Sequence, residues 1–277
     1  MKLVEELEEK SASSSRSKID LVGVDEDLLQ LKDRLTNMER KVKIIPIVGM
    51  GGIGKSTLAR NLYDDAYIVS HFDYRSWAVI SQVPNMREIM LSLLRGLDEK
   101  VSNELIGRGD YELREILHKR LFGRRYIVVL DDIWSTKLWD EIRMYFPDSN
   151  NGSRIVITTR ESDVAEHVAG SERLHHVQLL DEVVSRDLLC QIVFGEEDCP
   201  SELQEVAAKI GSDCSGLPLA IHVIGGLLSK VERSREVWEN LSTDVKASIV
   251  QSDEHFSNIL SLIYSLETMF FVYESFS

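Results

Sequence analysis

The run Gly49-Met50-Gly51-Gly52-Ile53-Gly54-Lys55-Ser56, followed by Thr57, fits G-x-x-x-x-G-K-[ST] with two further glycines inside the loop. Glycines admit positive φ angles and close backbone approach, so consecutive N–H groups can wrap phosphate oxygens. A helix opening at Lys55 adds the positive end of its dipole. In such a loop Lys55 reaches the β- and γ-phosphates, and the Ser56 hydroxyl holds Mg2+.

Two other segments carry matching chemistry. Tyr126-Ile127-Val128-Val129-Leu130-Asp131-Asp132 is an apolar strand ending in two carboxylates. Asp131, in line with the strand, is placed at its C-terminal edge to bind Mg2+ through water; Asp132 is placed to orient or deprotonate an attacking water. Ser153-Arg154-Ile155-Val156-Ile157-Thr158-Thr159-Arg160 ends in hydroxyls and a guanidinium. Taken alone, a strand-terminal arginine is more often a surface ion pair. Beside the other two segments, Arg160 is expected to face a γ-phosphate, because ligands of open α/β sheets sit beyond the carboxyl ends of the strands.

The elements that must position these groups alternate. Apolar Ile44-Ile45-Pro46-Ile47-Val48 precedes the glycine loop, and a helix follows from Lys55 to Leu62. Strands are expected at Tyr74–Ile80, Arg125–Leu130 and Ser153–Thr158. Helices are expected at Asp25–Met38, Met86–Leu97 and Tyr111–Leu121, with a helix or turn through Trp139 and Ile142. Alternation of β-branched strands with helices reads as a parallel sheet covered on both faces. Pro46 is the misfit, since proline removes a ladder donor from a strand that should be central. Beyond Leu180 the strand signal stops. Ser201-Glu202-Leu203-Gln204 fits a capping box, with Leu203, Val206, Ala207 and Ile210 at helical spacing and Gly211 as a stop. Leu219, Val223, Ile224 and Leu227 repeat the period, with Pro218 in a first turn where its missing N–H costs nothing. Val237, Trp238 and Leu241 suggest one more helix.

Composition narrows the function. The 277 residues are 43% hydrophobic and 28% charged with a formal charge of -14, so the chain folds and is poorly suited to nucleic acid. No apolar run approaches the roughly 20 residues of a bilayer span. The start, Met1-Lys2-Leu3-Val4-Glu5-Glu6, is acidic where targeting peptides are basic or acid-poor, which gives an intracellular, cytoplasmic expectation. Cys190, Cys199 and Cys214 form no metal or disulfide pattern and read as buried small thiols. His175-His176 with His167 lacks a carboxylate or cysteine at ligand spacing. Phe72, Tyr74 and Trp77 alternate along a strand and read as core and sheet-face residues rather than a platform for bases.

At Gly216-Leu217-Pro218-Leu219-Ala220 the sequence resembles the NB-ARC family of nucleotide switches, the nucleotide-binding portion of plant nucleotide-binding leucine-rich-repeat disease-resistance proteins. Five motifs stand in family order: Gly49–Thr57, Phe72–Gln82, Leu130-Asp131-Asp132-Ile133-Trp134, Gly152–Arg160 and Gly216–Ala220. Trp134 after the acidic pair looks like the coiled-coil class, of the late-blight-resistance kind. The resemblance implies a P-loop NTPase fold of α/β class: a three-layer parallel sheet, then a small all-helical domain and the start of a winged-helix domain. The expected divisions are an N-terminal remnant and linker at 1–19, the nucleotide-binding domain at 20–176, the helical domain at 177–250 and a truncated winged helix at 251–277.

It also implies ADP or ATP with Mg2+. Gly49, Gly51, Gly52, Ile53, Gly54, Lys55, Ser56, Thr57 and Arg160 would bind phosphates, Pro218 would pack near the adenine, and the backbone at Val22 would recognise the base. Val22-Gly23-Val24-Asp25 reads independently as a turn in which Asp25 caps the first helix. No Asn-Lys-x-Asp is present to read guanine. The implied role is a switch in plant defence and the hypersensitive response, at most a slow Mg2+-dependent ATPase. Its partners in an intact member would be its own leucine-rich repeats and coiled coil, with homo-oligomer formation on activation. Asn258-Ile259-Leu260-Ser261-Leu262-Ile263-Tyr264 resembles the opening of the winged helix, whereas the family's methionine-histidine-aspartate motif is not in the sequence. The competing readings are a P-loop ATPase whose turnover is the function, and a truncated interaction module that no longer signals.

Overall fold

The computed structural model describes residues 23–97, 105, 107–240 and 242. Helix α1 (Asp25–Thr36) precedes β1 (Lys43–Val48), and the glycine loop leads into α2 (Lys55–Asp64). A short α3 (Ala66–His71) leads to β2 (Tyr74–Val79). Helices α4 (Met86–Leu97) and α5 (Asp110–Leu121) come before β3 (Tyr126–Asp131). Helix α6 (Thr136–Ile142) precedes β4 (Arg154–Thr159), and α7 (Ser162–Ala169) precedes β5 (His175–His176). Three helices follow: α8 (Glu182–Phe194), α9 (Gln204–Asp213) and α10 (Pro218–Leu228). Residues 235–240 are helical again.

The strands form one parallel sheet in the order β2-β3-β4-β1-β5. Register runs from Lys43 opposite Arg154 to Val48 opposite Thr159, so the glycine loop and the polar ends of β3 and β4 emerge at one edge. Every residue of β3 and β4 is buried, as expected of β-branched strands covered on both faces. Alternation divides them. Ile127, Val129 and Val156 join one core with α1 and α2, while Val128, Leu130, Ile155 and Ile157 join another with α4 and α5. The first core continues through Leu189, Ile210, Ile221 and Trp238, so the helices after β5 share the apolar interior of one sheet face.

Pro46 is explained by strand parity. Lys43 and Gly49 donate toward β4, to Ser153 O at 3.2 Å and Thr159 O at 3.4 Å, while Val48 O faces the other side and accepts from Val177 N at 2.9 Å. Pro46 shares the parity of Val48, and β5 begins only opposite Ile47. The donor that Pro46 lacks therefore points where no strand runs to accept it.

Other local expectations change. The Ser201 capping box does not form: residues 201–203 make a turn, α9 opens at Gln204 behind Leu203, and the Gln204 amide instead donates to Cys199 O at 3.3 Å. Gly211 lies inside α9 rather than ending it. A Cβ there would come 3.0 Å from Arg186 N, so the glycine lets α8 and α9 approach; the helix stops before Ser215 and Gly216, both at positive φ. Asp25 is the first residue of α1, not its cap, and acts with Glu26 and Asp27 as an acidic first turn facing the helix dipole. Met38 lies beyond that helix and is fully exposed. Of the cysteines, Cys214 is buried but Cys190 and Cys199 are only half-buried. Residues 1–22 and 243–277, with Leu241, lie outside the described residues, and with them the N-terminal remnant and the winged-helix start.

Candidate functional site

The turn from β1 into α2 builds the phosphate end. Gly54 occupies the N-cap of α2 at φ 100°, and Gly52 stands at φ 76°, left-handed conformations that a side chain would strain. Gly49 follows β1 directly, Gly51 lies in the turn, and Ile53 is anchored in the core at 6% exposure. Ser56 and Thr57 are exposed in the first turn of α2, whose N–H groups have no intrahelical acceptor. Lys55 is buried, and its ammonium donates to Gly49 O and Met50 O, each at 2.8 Å. Burial, and secondly the Arg160 guanidinium, pull the Lys55 pKa down to about 8 against the opposing pull of Asp132 and Asp131.

The carboxylates meet this loop across the sheet edge. The Ser56 hydroxyl donates to Asp131 Oδ1 at 2.7 Å, and the Thr158 hydroxyl donates to the same oxygen at 2.5 Å. Thr158 Oγ1 also accepts from Asp132 N at 2.8 Å, and Thr158 O accepts from Ile133 N at 2.9 Å, which fastens the turn after β3 to the end of β4. Asp132 is held at φ 67°, a conformation uncommon outside glycine. Its carboxylate lies 3.7 Å from Arg160 Nε, and Arg160 covers the Trp134 ring at 5.0 Å. Burial raises the Asp132 pKa above the ordinary carboxylate value even though Arg160 and Lys55 draw it down. Thr158 is the residue that sequence reasoning missed as an organiser. Its signal was a hydroxyl at the end of the strand next to the acidic pair.

The donor set suits the groups the motifs imply. Ser56 and Asp131 offer adjoining hydroxyl and carboxylate oxygens, the ligands a hard divalent cation prefers, and the glycine turn leaves backbone donors facing outward for phosphate.

A cavity of about 1140 Å³ extends from this loop between α1, α2 and the later helices. Ile53, Gly54 and Thr57 line one end; Gly23, Val24 and Pro218 line another part. Pro218 thus shares the cavity with the loop, whereas Val22 lies outside the described residues. Two backbone hydrogen bonds close the seam: Leu219 N donates to Gly52 O at 3.2 Å, and Leu180 N to Gly216 O at 2.9 Å. A Cβ at Gly52 would stand 2.8 Å from Leu219 Cβ, so this glycine also permits the first turn of α10 to rest on the loop. His222 borders the same cavity and donates from Nδ1 to Pro218 O at 3.0 Å, which leaves Nε2 as an acceptor. Sequence reasoning passed over His222, although it stands one helical turn after Pro218.

The remaining candidates have other partners. His175 lies 3.0 Å from Asp27 and His167 3.1 Å from Asp140, carboxylates distant in sequence. Among the described residues no three His, Cys, Asp or Glu side chains converge as a metal site. Phe72 is core; Trp77 meets Tyr63 edge-on at 5.6 Å under the Arg60 guanidinium at 3.7 Å. Among the described residues no helix is long and apolar enough to cross a membrane.

Comparison with known proteins matches residues 24–199 to the NB-ARC domain. A putative late blight resistance protein homolog of Solanum demissum is 38% identical over 242 residues, covering 87% of this chain and 18% of that protein. A late blight resistance protein of the same species is 37% identical over 242 residues, with the same coverage of 87% and 18%. The chain therefore spans less than a fifth of the length of these curated relatives. Among solved structures, Cdc6p from Pyrobaculum aerophilum aligns with a TM-score of 0.56 at 17% identity, over 74% of this chain and 58% of that one. Drosophila ORC bound to DNA aligns at 0.55 and 11% identity, over 93% and 76%. At such identities the likeness is one of fold: a parallel sheet flanked by helices, of P-loop NTPase/AAA+ type.

Proposed function

The chain belongs to the NB-ARC domain family, and on that premise we propose that it is an adenine-nucleotide switch acting in plant defence signalling. The observation that carries the proposal is the seam between Gly52 and Leu219, which puts the first turn of α10 on the phosphate loop and Pro218 in the cavity beside it. A nucleotide held there touches both the sheet and the later helices.

In this reading Gly49, Gly51, Gly52, Ile53 and Gly54 present backbone N–H groups to the β-phosphate. Lys55 exchanges its two carbonyl acceptors for phosphate oxygens, and Thr57 borders the α-phosphate. Ser56 and Asp131 hold Mg2+, which supplies charge neutralisation between the β- and γ-phosphates. Arg160 turns from Asp132 toward a γ-phosphate, and the freed Asp132 carboxylate orients the attacking water. Pro218 packs against adenine, with the backbone near Val22 and Gly23 at its polar edge. ADP favours the arrangement in which α10 rests on the loop; ATP favours its release. Only differential affinity for the two arrangements shifts their populations, so any hydrolysis resets the switch rather than being its output.

The setting that goes with this reading is cytoplasmic. The partners are the leucine-rich repeats and coiled coil of an intact member, with further copies of the chain on activation. The test is to identify nucleotide retained through purification and to titrate ADP, ATP and GDP. The proposal expects about one ADP per chain, weaker GDP binding and slow turnover. An empty site with rapid steady-state hydrolysis would instead make the protein an ATPase proper, and no adenine nucleotide binding would overturn the assignment.

A further inference from the structure

A second feature lies away from the nucleotide cavity and does not rest on the nucleotide reading. Cys190, on α8, and Cys199, in the segment leading to α9, line a separate cavity of about 400 Å³ with Arg186, Asp187 and Gln204. Both sulfurs are half-buried against the apolar core. The Cys190 thiol hydrogen-bonds to Cys199, and the Cys199 thiol donates onward to Pro200 O at 3.7 Å. The Gln204 amide holds the Cys199 carbonyl at 3.3 Å. The Arg186 guanidinium interacts with both sulfurs while bonded to Asp187 at 2.6 and 2.9 Å. Cys214, the third cysteine, is 2% exposed and lies elsewhere in the core.

We propose that Cys190 and Cys199 form a modification site for hydroperoxides, in which Cys199 is oxidised first and Cys190 closes an intrachain disulfide between α8 and the segment before α9. The order follows from the hydrogen-bond direction. Burial and donation to Cys199 keep the proton on Cys190, pushed up to about 12, so Cys199 is the sulfur that attacks. The Arg186 charge stabilises the thiolate formed there. In the first step the Cys199 sulfur bonds to one peroxide oxygen as the O–O bond breaks, giving a sulfenic acid and one water. In the second the Cys190 sulfur displaces the sulfenic hydroxyl; the S–S bond forms, the S–O bond breaks and a second water leaves. Two thiols lose two electrons and two protons, and one hydrogen peroxide becomes two waters.

The test is limiting hydrogen peroxide added to the full folded chain, followed by alkylation, unfolding, a second distinguishable alkylation and peptide mass spectrometry. The expected product is a Cys190–Cys199 disulfide, two hydrogens lighter than the dithiol, with Cys214 labelled only after unfolding. Cys190→Ser should stop at a sulfenic acid on Cys199 that dimedone traps, whereas Cys199→Ser should leave Cys190 as a thiol; circular dichroism checks that each variant folds. The wild-type map decides the matter even if a variant does not. Free Cys190 and Cys199 after a dose that oxidises glutathione, or a disulfide to Cys214 or to a second chain, would overturn the site. A dimedone adduct on Cys190 in the Cys199→Ser chain would overturn the order.

Discussion

The two ends of the large cavity are built differently. At the phosphate end, Lys55, Ser56, Asp131, Asp132 and Thr158 are fixed by hydrogen bonds of 2.5 to 2.8 Å within a single sheet edge. At the base end, pieces of α1, of the chain after β5 and of α10 meet through apolar contact and two backbone hydrogen bonds. A charged, preorganised cradle pays no ordering cost when a polyanion arrives. A seam between separate segments can open with little loss. Affinity should therefore reside at the phosphate end and switching at the base end.

Lys55→Asn gives the largest expected effect. It removes the ammonium at the centre of the cradle and should weaken ADP about 100-fold or more, equivalent to ~2.7 kcal/mol, in an equilibrium titration. Retention of ADP near the wild-type level would remove the assignment of affinity to this end.

The pH dependence comes next. Lys55 has a pKa of about 8 with its neighbours as they stand, and phosphate favours the charged form, so binding above that pH must take up a proton. ADP affinity should fall as pH rises past about 8, by at most about tenfold per unit. Calorimetry in buffers of different ionisation enthalpy measures the uptake; affinity unchanged from pH 7 to 9.5 would contradict it. The protein alone should show the reverse sign. A depressed lysine pKa costs stability below about 8, and that cost fades as pH rises toward the unfolded value.

Pro218→Ala probes the other end. It removes apolar contact worth about 0.5–1 kcal/mol, a few-fold in ADP affinity, and should loosen the seam more than it weakens binding. A loss as large as that of Lys55→Asn would erase the contrast between the ends. The smallest effect is expected of Asp132→Asn without nucleotide. Because burial raises the Asp132 pKa, charging it costs stability as pH rises above the ordinary carboxylate value of about 3.9. The variant should melt slightly higher than wild type at pH 7, and the gain should vanish in acid; a lower melting temperature at pH 7 would assign Asp132 a net stabilising ion pair with Arg160.

The same contrast decides what could be read from sequence. The phosphate end was legible because each part is a contiguous run at a strand terminus, and parallel order brings such termini to one edge. Strands β1 to β4 were legible from their apolar, β-branched runs. Strand β5 was not, since His175-His176 carries no apolar signal and owes its conformation to pairing with Ile47 and Val48. The base end was legible only through the resemblance at Pro218; Leu219 and His222 face it because of how α10 docks, which no local pattern encodes. Gly211 misled because a glycine required by helix approach looks the same in sequence as one that ends a helix. Pro46 became intelligible only once the length of its neighbouring strand was known.

The central claim is that one nucleotide joins both ends. Hydrogen exchange on the full chain, with and without saturating ADP, tests it at the amides of Gly49 to Thr57 and of Leu217 and Leu219. The account predicts protection of both groups at the same ADP concentration. Protection confined to Gly49–Thr57, with Leu217 and Leu219 exchanging as before, would contradict it.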